Sequence, residues 1–226
     1  MSARSDEPAD SPASKTGDAP LRHNEEWANA LTHGLAALAW LVAGFVLVWR
    51  ALSVDAGLAV ACAAYVASVV GTFVSSWLSH TVLTQPWLDR FRSWDQGCIY
   101  LMITGTYTPI AFRYAAHEHR TVLLMAIWIA AACGMWSKVA VGHRVNQIGT
   151  WSYLLLGWLP AIPLYQRVPS ELGLTMLVGG VVYTLGVVVL MNDHRAKYLH
   201  SCWHLLVILA SITHGIGIAR YVVASP

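Results

Sequence analysis

The sequence predicts an all-α, polytopic membrane protein with seven transmembrane helices. Three observations carry this. First, the 226-residue chain is 56% hydrophobic and only 12% charged, about half the charge of a typical soluble domain. Second, its acids are unevenly spread. Six of the twelve fall in the first 26 residues, leaving Asp55, Asp89, Asp95, Glu118, Glu171 and Asp193 for the rest. Third, seven apolar runs, each near the roughly 20 residues that a bilayer core requires, are separated by polar breaks. The mean hydropathy of +0.51 agrees. The net charge is only +2 and there is no basic run, so nucleic acid is excluded as a partner. Membrane lipids are the partner this composition implies.

Residues 1–23 are rich in Ser, Ala, Pro and Asp and lack apolar periodicity, which predicts a disordered tail. Residues 24–226 are expected to form one membrane domain. No secretory signal peptide is predicted, because the first apolar run begins near Leu31 and is long enough to span. The runs extend from Trp27 to Trp49, Gly57 to His80, Trp94 to Phe112, Thr121 to Val141, Ile148 to Tyr165, Glu171 to Met191 and His200 to Val223. Aromatic residues such as Trp27, Trp49, Trp94, Trp151, Tyr165 and Tyr221 lie near their ends, where interfacial belts form. Pro109, Pro160 and Pro163 predict kinks, and the fifth run is the least regular. The Gly179-Gly180 pair and Gly186 predict close helix contact. Cys62, Cys98, Cys133 and Cys202 stand singly in apolar runs and read as packing residues.

Orientation follows from the basic residues. With the tail cytoplasmic, the inside carries Arg4, Lys15, Arg22, Arg90, Arg92, Lys138, Arg144, Arg195 and Lys197. The outside carries Arg50, Arg113, Arg120, Arg167 and Arg220. Nine against five predicts a cytoplasmic N-terminus and places the chain in the cell (plasma or inner) membrane.

Helix parity then collects polar residues at one bilayer face. The second run ends at His80, the third begins near Asp95, and the seventh begins at His200. His200 and His204 are four apart and share one helix face. With His80 they make three imidazoles, the ligand set of a catalytic zinc site with one open position. Ser76 shares the face of His80, and Asp95 is placed to orient a ligand or a water. Blander readings stand beside these. The histidines would contact headgroups, Ser76 would bond its own helix backbone, and Asp95 would cap the third helix. Glu26, Asn29 and His33 share one face of the first helix, as helix-start caps or as partners of the site. Cys98, three after Asp95, reads as packing. His214 lies ten residues, about 15 Å, beyond His204 and is too far to join the set. His117 and His119, in "HEHR", read as a solvated loop on the opposite face.

Several stretches resemble the hemolysin III family, which groups with the progestin and adipoQ receptors and the alkaline ceramidases. They are "EEWANALTHG" from Glu25, "SSWLSH" from Ser75, "WDQGCIYLMITGTYTP" from Trp94, "YLLLGW" from Tyr153 and "HSCWHLLVILASITH" from His200. The family's S-x3-H falls on Ser76 and His80, its acid on Asp95, and its H-x3-H on His200 and His204. The resemblance implies seven helices, a cytoplasmic N-terminus and zinc held by His80, His200 and His204. Ser79 stands where bacterial relatives often have an aromatic residue, and Gln96 where they often have His. Neither is an expected ligand. The expected function is a zinc-dependent hydrolase of lipid amides, with Asp95 and Ser76 catalytic. The alternative is a non-enzymatic cytolysin, pore or receptor-like protein with structural zinc.

Overall fold

A computed structural model describes residues 23–140 and 147–224. The expected tail and Arg144 fall outside these residues, except for His23, which opens the first helix. The described residues are helical and include no strand. The helices are α1 (His23–Leu52), α2 (Ala56–Thr81), α3 (Trp87–Tyr114), α4 (His117–Val139), α5 (Gln147–Trp158), α6 (Ala161–Leu164), α7 (Ser170–Leu190) and α8 (Leu199–Ile218). A 3-10 turn, Asp193–Arg195, joins α7 to α8, and a π turn, Ala219–Val223, extends α8.

Five of these segments, α1, α2, α4, α7 and α8 with its π turn, are long and apolar enough to cross a membrane. Their outer faces are greasy: Val42, Phe45 and Trp49 of α1 are each more than two-thirds exposed. Polar residues point inward instead, among them Glu26, Asn29, His33, Ser76 and His204. Such an inverted surface suits lipid and would be an aggregation hazard in water. The molecule is a multi-pass membrane protein.

α3 is the most polar helix and the central one, packing against α2, α4, α5 and α8. At about 1.5 Å per residue its 28 residues reach roughly 42 Å, enough to span. Some of its hydroxyls are satisfied within the helix, Thr106 donating to the Met102 carbonyl at 2.8 Å and Thr108 to that of Thr104 at 2.9 Å, whereas Thr104 reaches the Ile127 carbonyl of α4 at 3.2 Å. The helix begins at Trp87, two turns before Asp95, so Asp95 does not cap it. Pro109 lies inside α3 without dividing it. Pro160 does mark a break in the fifth run, which falls into α5 and the single turn α6. A proline lacks the amide hydrogen needed to continue the helical ladder. The "HEHR" stretch is not a loop. It forms the start of α4, although His117, Glu118 and His119 are exposed there.

Gly179 and Gly186 let α7 approach α8. The His214 ring lies over one and the Trp203 ring over the other, where a Cβ would collide. All four cysteines are free thiols. Cys62 and Cys98 are buried in the packing, whereas Cys133 and Cys202 face outward.

Candidate metal centre

Three helices meet at one end of the bundle. The last turns of α2 carry Ser76, Ser79 and His80. The first turns of α8 carry His200 and His204, one turn apart on a shared face. α1 packs against both, and its opening turns carry Glu25, Glu26, Asn29, Thr32 and His33. The rings of His80, His200 and His204 are mutually tilted, with centroids 4.8–5.2 Å apart. Each offers a ring nitrogen within 4.8 Å of the other two. The cluster grades from interior to surface: His204 is 1% exposed, whereas the His200 side chain is 28% exposed.

What orients the three imidazoles is a set of acceptors on their Nδ1 atoms. His80 Nδ1 donates to Glu26 Oε2 at 2.6 Å, and the other oxygen of Glu26 is 3.8 Å from Arg92. His200 Nδ1 donates to Asp193 Oδ2 at 2.9 Å. His204 Nδ1 lies 3.2 Å from the Asn29 carbonyl and 3.1 Å from Thr32 Oγ1. Since Thr32 already donates to the Asn29 carbonyl, both oxygens there are acceptors. A carboxylate or carbonyl only accepts, so the proton sits on Nδ1 in each ring. Nε2 is then the nitrogen left with a lone pair. Imidazoles that bind metals are held this way, by an outer acceptor on the opposite nitrogen. His80 Nε2 is buried and has no partner among the described residues. The donor set therefore fits a metal ion. Nitrogens about 2.0–2.1 Å from a tetrahedral ion lie roughly 3.3 Å apart, so side-chain movements of about 1 Å would close the set.

Beside the trio sits Asp95, which is not among the residues whose atoms reach one another there. Ser79 Oγ donates to Asp95 Oδ2 at 3.1 Å and also lies 2.9 Å from the Ser76 carbonyl. Ser76 Oγ is buried beside the Asp95 carboxylate and does not bond its own helix backbone. Cys98 packs against Ser75, with Sγ 3.3 Å from its hydroxyl, away from the trio. Sequence reasoning left Glu26, Asn29 and His33 between two readings. Glu26 and Asn29 are acceptors for two imidazoles of the trio, and His33 stacks on His204. Asp193, Thr32, Arg92 and Ser79 were missed as contributors. The only sequence signal for Asp193 is an acid in the short connection just before the H-x3-H helix.

Asp95 and His33 also line one end of a cavity of about 590 Å³. It runs between α3, α5, α7 and α8 to Tyr165 and Ser170 at the other end of the bundle, and its walls are largely apolar. His214 lines it deep in the bundle, with Nε2 3.3 Å from the Met176 carbonyl, and takes no part in the trio.

Residues 21–215 match the family model described as haemolysin-III related. Hemolysin-3 of Bacillus cereus is 30% identical over 188 residues, which cover 81% of this chain and 85% of that protein. The Hemolysin-3 homolog of Bacillus subtilis (strain 168) is 30% identical over 207 residues, 89% of this chain and 96% of that protein. The Monocyte to macrophage differentiation factor of Homo sapiens is 27% identical over 165 residues, 73% of this chain and 68% of that protein. No solved structure matches significantly.

Proposed function

Starting from the fact that this chain belongs to the haemolysin-III related family, we propose that it is a zinc-dependent intramembrane hydrolase of lipid amides. One observation carries the reading. Three imidazoles, each fixed through Nδ1 by an acceptor, bring ring nitrogens within 4.8 Å of one another beside a carboxylate and a long apolar cavity. His80, His200 and His204 would hold the zinc. An all-nitrogen, three-ligand set with a fourth position open is the pattern of catalytic rather than structural zinc.

The ion supplies Lewis acidity toward a carbonyl and toward water. The protein's own groups do the rest. Asp95, aimed by Ser79, accepts the proton that the attacking water gives up. Ser76, whose buried hydroxyl lies beside Asp95, donates to the oxygen on which charge develops. The acyl chain lies in the cavity, whose apolar walls keep bulk water from the reacting carbonyl. Asp95 then passes that proton to the amide nitrogen as the C–N bond breaks, so the products are a fatty acid and an amine. The test is Asp95→Asn, which keeps the shape and removes the basicity. It should retain zinc and cut fatty acid release from ceramides or N-acyl lipids by about 10²–10⁴-fold. Loss of zinc in this variant, with no release by the wild type, would refute catalysis.

The second reading is a non-enzymatic lytic or receptor-like protein with structural zinc. The names of the Bacillus relatives favour it, and it requires Asp95 to complete a closed four-ligand site. We also propose seven spans, with α5 and α6 together forming the fifth and the N-terminus cytoplasmic. A reporter fused after Pro226 should then be external, and a cytoplasmic signal would overturn the odd number of spans.

A further inference from the structure

His33 has no role so far beyond packing. It is 3% exposed, pressed ring to ring on His204 with centroids 3.6 Å apart and planes 7° from parallel, and tilted against Phe73 at 4.9 Å. Neither of its ring nitrogens makes a well-formed hydrogen bond among the described residues, although the His204 backbone lies near the ring. A neutral imidazole carries one N–H donor and one acceptor, and buried polar atoms are nearly always paired. His33 satisfies neither with a well-formed bond, while its ring is clamped on two sides. The stack also keeps it out of the metal set. A ligating nitrogen points at its ion within the plane of its own ring, so an ion in the His204 plane lies well outside the plane of His33. What His33 does border is the cavity, at the end shared with Asp95.

From this placement we infer that His33 is a ligand-binding residue, whose N–H donates to a head-group oxygen of the long-chain amphiphile occupying the cavity. This rests on the proposed function for the kind of occupant, but it concerns binding and stands apart from turnover. It makes the site selective for chains that end in a carbonyl, carboxyl or hydroxyl oxygen beside the metal centre, and poor for bare hydrocarbon.

The experiment uses the zinc-loaded full chain in nanodiscs and tritiated palmitate as the probe. His33→Phe keeps an aromatic ring in the stack and removes both nitrogens. It should lower palmitate affinity about tenfold, the worth of one hydrogen bond. Zinc content should be unchanged, and the ligand-free melting temperature should rise, because unpaired buried polar atoms are removed. Should the phenylalanine variant not fold, the pair His33→Gln and His33→Met, similar in size with and without an N–H, makes the same comparison, with glutamine the tighter binder. Unchanged palmitate affinity with a lowered melting temperature would show a structural, water-bridged histidine and overturn the inference. So would loss of zinc from the phenylalanine variant, or no palmitate binding by the wild type. Palmitate binding that depends on His33, without hydrolysis of any lipid amide, would refute the hydrolase while leaving this site standing.

Discussion

His200 and His204 stand four residues apart at the start of α8, and His117 and His119 stand two apart at the start of α4. Both pairs open a helix, yet they do opposite things. Four residues return to the same helix face, whereas two turn the second ring about 160° away from the first. The α8 pair points into the bundle, with His204 1% exposed, and meets His80 from α2. The α4 pair is exposed. The larger difference lies in what answers them. Asp193 takes one α8 ring by its Nδ1, and Asn29 and Thr32 of α1 take the other. A histidine pair is therefore informative when it shares a face and when acceptors arrive from elsewhere in the chain.

The comparison breaks most sharply at the ligands. His80→Ala or His204→Ala should abolish stoichiometric metal. Each should also erase the stabilisation that metal confers, about 2.7 kcal/mol when the free ion stands a hundredfold above its Kd. Melting with and without chelator reads this: the wild type should shift and the variants should not. A retained shift would remove these residues from the site. Glu26→Gln probes the acceptor layer alone. The amide oxygen still accepts from His80 but without charge, so metal affinity should fall about tenfold, the lower end of the 10–100-fold range for such partners. Competition with a fluorescent chelator measures it, and unchanged affinity would make Glu26 only a structural tie. The smallest effect belongs to the other pair. His119→Ala should leave metal content and melting within error, and any metal loss would place the ion at α4 instead.

Much of this was legible in the sequence. The H-x3-H spacing and the parity of the helices placed His80, His200 and His204 at one end of the bundle before any coordinates. Their neighbours were harder to see. Glu26 and Asn29 lay on the right face of α1, but nothing local said that α1 would sit against both α2 and α8. Asp95 was misplaced relative to its helix, because the apolar run starts at Trp94 while the mostly polar stretch Asp89 to Ser93 is already helical. Hydropathy marks where lipid begins, and a helix can project past that point. The cavity was invisible to pattern reading, since it exists only in the gap between α3, α5, α7 and α8.

The ties between the first and last helices carry one more consequence. Glu25 Oε2 accepts from the Tyr198 amide at 2.9 Å, across 173 residues, at a residue held in a left-handed backbone conformation of φ 62° just before α8. Asn29 accepts from Ser201 across 172 residues and from His204 across 175. A ribosome delivers α1 long before it delivers α8. Through most of synthesis, the polar face of α1 waits in the bilayer for partners still to be translated, and His80 has neither of its fellow imidazoles. Metal capture would in that sense be a timestamp. An ion held by all three histidines certifies that the chain was made to its last helix and that its two ends have found each other.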